Sequence, residues 1–171
     1  MHNRTNLILA FVGAIAAIAG CESSTEVDAN SHYAGVLNGA KEKPAATTST
    51  ATGQALVIVN PSGTLSYSVT WAGLTGAPTG AHIHGPADSN NTAGVLIDFT
   101  ALPAGSYQAS ANVMTATGSS SGNVNVKTAA VITATVSGDS IMKLLNAGLL
   151  YVNVHTAANA AGEIRAQLKK Q

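Results

Sequence analysis

Between Leu65 and Ala72 the side chains alternate without a break: Leu65, Tyr67, Val69 and Trp71 are large and apolar, whereas Ser66, Ser68, Thr70 and Ala72 are small or polar. A period of two sends successive side chains to opposite faces of an extended chain, so this run predicts a strand with one buried face. A helix would scatter the same residues around its circumference. Before it, GQALVIVN and the turn Asn60-Pro61-Ser62-Gly63 complete a hairpin pattern. Composition agrees with this. Aromatic residues make up only 4% of the chain, and Ala, Thr, Ser, Val and Gly dominate, a mix suited to short strands and turns.

Similar short apolar runs recur along the chain, each bounded by turn residues. HYAGVL comes first, followed by a Pro/Thr-rich stretch AKEKPAATTSTAT. Beyond the hairpin lie AHIHGPA, a polar loop from Ala87 to Ala93, GVLIDF, and an irregular run from Gly105 to Val113. MTATGSSSGN reads as a low-complexity loop, and TAAVITATVSG as a further strand. One helix is predicted over Ile141 to Ala147, capped by Asp139 or Ser140, with Ile141, Leu144 and Leu145 on one face and Gly148 as its stop. LLYVNVHT and GEIRAQL close the chain as two strands. The expected fold is all-β, a Greek-key sandwich or barrel with one short helix. Tyr67, Val69, Trp71, Val152, Val154 and Ile164 are its expected core.

The N-terminus is organised differently. Arg4 sits in a short polar head, an apolar run extends from Leu7 to Ala19, and the only cysteine, Cys21, follows small residues. The run is too short for a comfortable membrane span and has the pattern of a secretory signal peptide over residues 1–20. Ile18-Ala19-Gly20-Cys21 resembles the lipobox of bacterial lipoproteins, which implies acylation of Cys21 and an extracytoplasmic, lipid-anchored protein on a bacterial membrane. Residues 21–32, polar and without apolar periodicity, read as a tether, and residues 33–171 as the domain. Charged residues are only 9% of the chain and the formal net charge is zero, so counterion release on nucleic acid has little to act with. A membrane through the lipid, and an unidentified protein partner, are the associations expected.

Chemistry concentrates in two segments. His82 and His84, two residues apart in a predicted strand, share one face about 6.6 Å apart along the backbone. In YVNVHT, Tyr151, Asn153 and His155 share the face opposite Val152 and Val154. If the two strands meet, three imidazoles converge, a donor set that suits copper or zinc with an open fourth position. Affinity for such an ion is expected to fall below about pH 6.5, where free imidazole protonates. The competing reading gives the histidines a structural task, pinning the Gly85-Pro86 turn and the Thr156 to Ala161 loop through backbone hydrogen bonds. Asn153 is a candidate for orienting His155 or a satisfied polar residue. Arg165 is either an anion-attracting group near the histidines or the partner of Glu163 or Asp98. Glu42 and Pro44 read as turn structure without chemistry. No GxSxG, phosphate loop or carboxylate pair supports hydrolysis or nucleotide binding.

Together, GVLNGAKEKP, Ala51 to Gly53, LSYSVTWAGLTG, AHIHGPA, NAGLLYVNVHT and GEIRAQL resemble the CHRD domain, named after chordin, over about Tyr33 to Leu168. The resemblance implies a fold more than a function. A fainter likeness links Gly73-Leu74-Thr75, His82, His84, His155 and Arg165 to the copper half of copper-zinc superoxide dismutases. It implies an immunoglobulin-like or superoxide-dismutase-like sandwich and, as an alternative function, copper redox chemistry. A bridging histidine, a zinc cluster of His and Asp, and a structural disulfide are all missing from the sequence.

Overall fold

The computed structural model describes residues 30–61, 64–101, 107–111, 116–125 and 138–171. Ten strands follow in chain order: β1 (Ser31–Asn38), β2 (Thr52–Val59), β3 (Thr64–Ala72), β4 (Pro78–His84), β5 (Val95–Asp98), β6 (Tyr107–Ala111), β7 (Ala116–Asn125), β8 (Tyr151–Thr156), β9 (Ile164–Gln167) and β10 (Lys169–Lys170). One α-helix, α1 (Gly138–Asn146), precedes β8. The strands join one antiparallel sheet in the order β5-β4-β8-β9-β1-β2-β3-β7-β6, with β10 also on β1, and the sheet curls into a half-barrel. The all-β expectation with a single short helix holds.

Alternation sets which face is dry. Leu65, Tyr67, Val69 and Trp71 of β3 lie beside Val59, Val57, Ala55 and Gly53 of β2, and Tyr33 and Leu37 of β1 continue the same rows. At the other end Ala81, Ile83, Val152, Val154, Ile164 and Ala166 are each at 0% exposure on that same side. All six residues expected in the core are buried. Helix α1 lays Ile141 and Leu145 on this core, with Leu144 partly buried against it. It ends where Gly148 takes a φ of +66°, a conformation open to glycine. The helix begins at Gly138, so Asp139 lies within its first turn, where a negative charge favours the exposed N–H groups.

Two sequence expectations change. Strand β1 begins at Ser31, so His32 belongs to the sheet and pairs with Ile58. Ala116–Asn125, most of the run read as a low-complexity loop, is a ten-residue strand paired along the whole of β3. An antiparallel ladder is held by main-chain hydrogen bonds that Ser and Gly supply as well as Val does, so a composition signal misses it. The run TAAVITATVSG lies outside the described residues except for its last glycine, as do residues 1–20 and Cys21.

Candidate metal centre and the polar face of the sheet

Strands β4 and β8 are neighbours, with Gly80 opposite His155, His82 opposite Asn153 and His84 opposite Tyr151. Directly opposed residues in an antiparallel pair point to the same side. The three imidazoles therefore stand together on the face opposite the apolar core. Ring centroids are 5.4 Å apart for His82 and His84, 4.8 Å for His82 and His155, and 5.7 Å for His84 and His155. One ligand nitrogen from each ring lies within 4.8 Å of the others. Gly80 makes the closeness possible: a Cβ there would stand 2.8 Å from His82 Cε1.

Each ring is held from behind. His84 Nδ1 lies 3.1 Å from the Ala93 carbonyl, and His155 Nδ1 lies 3.1 Å from that of Ala160. A carbonyl only accepts, so both Nδ1 atoms carry the proton and both Nε2 lone pairs are free. His82 is oriented the other way, its Nε2 at 3.6 Å from Asp98 Oδ1. The remaining nitrogens, His82 Nδ1, His84 Nε2 and His155 Nε2, are buried without a hydrogen-bond partner. Imidazoles steadied at one nitrogen by a carbonyl or carboxylate, with the other bare, have the orientation metal-binding histidines usually show.

Electrostatics keeps the rings neutral. Burial drives His84 down to about 4, against a weaker upward pull from the Ala93 carbonyl, with the charges of His82, His155 and Arg165 adding to the depression. His82 is lowered mainly by burial and then by His155, with Asp98 opposing. His155 is lowered by burial, opposed by its bond to Ala160. A neutral imidazole presents a lone pair, so proton competition with a metal ion is shifted below the 6.5 expected from free histidine.

The other polar residues of this face take places the sequence did not indicate. Arg165 is 1% exposed, and its guanidinium carbon lies 3.6 Å above the Tyr151 ring. The opposite partner of Tyr151 is His84, stacked at 5.0 Å with an interplanar angle of 8°. Arg165 Nη2 donates to the carbonyls of Asp88 and Asn91 at 2.8 and 2.9 Å and to Gln167 Oε1 at 3.3 Å. It forms an ion pair with neither Glu163 nor Asp98. Glu163 is fully taken up elsewhere, since Ser49 Oγ, the Thr75 N–H and hydroxyl, Thr156 Oγ1 and Asn159 Nδ2 all donate to it at 2.6–3.2 Å. Asp98 instead faces His82. Asn153 donates through Nδ2 to Glu42 Oε2 at 3.2 Å and makes no bond to His155.

Glu42 is the residue whose place the sequence reading mistook, and Tyr151 the one whose contacts it left open. Glu42 is 2% exposed, and burial pushes its carboxyl up to about 7 despite the Asn153 bond and the Arg165 charge. Its sequence setting, between two lysines and before a proline, looks like a surface turn. Tyr151 was placed on the histidine face by strand parity, and its partners come from a loop that parity does not address: its hydroxyl donates to the Ala93 carbonyl and accepts the Ala93 N–H.

The sequence model of the CHRD domain matches residues 33–168. The chain belongs to the CHRD domain family. Membership makes it a domain of binding-module type. No curated protein and no solved structure matches the chain. The histidine cluster of this CHRD domain lies wholly within the matched segment, on β4 and β8. Among the described residues no other set of three His, Cys, Asp or Glu side chains converges in this way.

Proposed function

We propose that this CHRD domain is an extracytoplasmic binding module, anchored through lipid at Cys21, that holds one copper or zinc ion with His82, His84 and His155. The observation that carries the metal reading is the convergence of three buried, unpartnered ring nitrogens, two of them on rings whose opposite nitrogen is tied to a backbone carbonyl. A structural task alone would be met by those carbonyl bonds and would leave no reason for the three bare nitrogens to meet. The donor set fits the ions: imidazole is a ligand for both copper and zinc, at roughly 2.0 to 2.1 Å per nitrogen. Asp98 would steady His82, and the loop carbonyls of Ala93 and Ala160 would steady the other two. A bound ion would supply Lewis acidity at an open fourth position.

Redox catalysis of the superoxide dismutase type has less support. Arg165 spends Nη2 on loop carbonyls and lies on Tyr151, a placement that does not aim it at the histidine cluster as an anion guide. Weak or no dismutase activity is expected.

Metal analysis of purified protein and calorimetric titration with copper and zinc test the reading. The expected result is one ion per chain, with affinity lost sharply in His82→Ala, His84→Ala and His155→Ala and kept in His32→Ala. Metal-free protein that gains no thermal stability from either ion would overturn it. The anchoring is tested separately: Cys21→Ser should release soluble protein or block processing, and unchanged partitioning into detergent would remove it.

A further inference from the structure

The three histidines are not held alike. His82 and His155 have one polar partner each, Asp98 and the Ala160 carbonyl. His84 is gripped twice: its Nδ1 donates to the Ala93 carbonyl at 3.1 Å, and its ring lies flat on Tyr151, with 5.0 Å between centroids and 8° between planes. Tyr151 in turn reaches Ala93, its hydroxyl donating to the carbonyl and accepting the N–H at 3.1 Å each. Ala93 thus ties the candidate ligand to the ring stacked on it. The pairing of His84 with Tyr151 across β4 and β8 sets the stack, so it belongs to the sheet and not to a loop.

Strand β8 has β4 on one side and β9 on the other. From β9, the Arg165 guanidinium comes to 3.6 Å from the centroid of the Tyr151 ring, well inside cation–π range. The same group donates through Nη2 to the carbonyls of Asp88 and Asn91, in the loop that carries Ala93, and Gln167 donates to the Ala87 carbonyl at the start of that loop. Glu42 and Asp88 act on the Arg165 charge through space, but its hydrogen bonds all go to neutral acceptors. A buried cation without a bonded carboxylate is costly, and an apolar side chain of similar volume would pack here at less cost. What a planar guanidinium adds is the ability to lie on an aromatic ring and hold two carbonyls at the same time.

We propose that Tyr151 and Arg165 are positioning residues of the histidine site: Tyr151 fixes the plane and tautomer of His84, and Arg165 fixes both Tyr151 and the loop that carries Ala93. A half-turn of His84 about its Cβ–Cγ bond would keep the stack but break the bond to Ala93. A tilt of the ring would keep that bond but break the stack. The two restraints together leave Nε2, the bare nitrogen of this ring, a single direction. A ligand ring ordered before the ion arrives has less freedom to lose on binding, so affinity rises. The task gives a buried arginine a reason to be there other than attracting anions. The inference rests on the metal reading for its purpose, while the geometry it assigns can be measured in metal-free protein.

The test compares the full chain with Tyr151→Phe, which keeps the ring and removes the hydroxyl, and with Arg165→Lys, which keeps the charge and removes the planar fork. Trp71→Ala serves as a variant destabilised in the apolar core. In metal-free protein, nitrogen–proton correlation spectra read the tautomer of His84, and zinc affinity of the folded fraction is read by calorimetry. The parent should show the Nδ1–H tautomer alone. Tyr151→Phe and Arg165→Lys should show a mixture of the two tautomers and lose roughly 10- to 100-fold in zinc affinity, and Trp71→Ala should match the parent in both. A single Nδ1–H tautomer with parental zinc affinity in Tyr151→Phe and Arg165→Lys overturns the proposal. An equal loss of affinity in Trp71→Ala overturns it too, because the effect would then follow stability alone. A parent that shows the single tautomer, loses it in both variants and binds no zinc upholds the positioning and overturns the metal reading instead.

Discussion

Strands β4, β8 and β9 are buried on both sides, and the two sides are built on opposite terms. On one, Ile83, Val152, Val154, Ile164 and Ala166 have no exposed surface and no polar side-chain atom to satisfy. On the other, His84, Tyr151, Asn153 and Arg165 are also buried, with Glu42 packed over them, yet His84 Nε2, Asn153 Oδ1, Arg165 Nη1 and Glu42 Oε1 have no partner. Equal burial therefore serves two ends. The apolar side is fully satisfied and contributes stability, whereas the polar side keeps donors and acceptors in reserve at a cost in stability. Such reserve is what a ligand site requires.

The largest expected effect belongs to the apolar side. Trp71 is 4% exposed on β3, in the row shared with Leu37, and Trp71→Ala should cost about 3 to 5 kcal/mol in urea unfolding. Metal affinity measured on the folded fraction should not change. A loss under about 1 kcal/mol would break the assignment of stability to this side.

Glu42 sharpens the comparison from the polar side. With its carboxyl raised from 4.5 to about 7 by burial, the folded protein binds more protons than the unfolded chain between those values. Stability should then fall as pH rises through that window, by about 3 kcal/mol if the full shift is expressed. Glu42→Gln keeps an acceptor for Asn153 and removes the titration, so its stability at pH 8 should exceed that of the parent and its profile should be flatter from pH 4.5 to 7. Identical slopes in parent and variant would show that the carboxyl is not held neutral.

Glu163, at 0% exposure, is the opposite case. Burial alone would raise its carboxyl, but donors from Ser49, Thr156 and Thr75 outweigh that and hold it below the ordinary value. Its contribution is present above about pH 4.5 and is lost as pH falls through the lowered folded value. Ser49→Ala removes one charge-assisted bond of 2.6 Å, with an expected cost of about 1.5 to 2 kcal/mol at pH 7 that shrinks once the carboxyl is protonated. A cost independent of pH would assign the effect to packing.

How much of this could be read beforehand follows the same division. The apolar side was legible because alternation in LSYSVTWA and YVNVHT is a local property, and parity alone placed Trp71, Val152 and Val154 in the core. Parity also put His82, His84 and His155 on matching faces, and the pairing of β4 with β8 then joined them. The surroundings of those histidines were not legible. Ala93, Ala160, Asp88 and Asn91 act through backbone carbonyls, which no side-chain pattern encodes. Glu42 reaches Asn153 across 111 positions in sequence, from a turn whose residues look solvated. Ala116–Asn125 failed for the converse reason, since main-chain pairing made a strand where side chains gave no sign.

The smallest stability effect is expected where the functional claim is largest. His155 is half-buried and makes a single side-chain hydrogen bond, to the Ala160 carbonyl. Its Nε2 contributes nothing to the empty fold, because it has no partner there. In metal-free protein, His155→Ala should therefore cost less than about 1 kcal/mol, the net worth of one ordinary hydrogen bond, and removing a buried unpaired nitrogen offsets part of that. With zinc at 100 times the dissociation constant, the parent should gain about 2.7 kcal/mol, and the variant almost none. This gain should persist to a lower pH than free imidazole would allow, since burial brings His84 down to about 4 and lowers its two neighbours as well. A variant that unfolds without metal would make His155 a structural residue, and a parent whose zinc response disappears near pH 6.5 would mean that the rings titrate as free imidazoles.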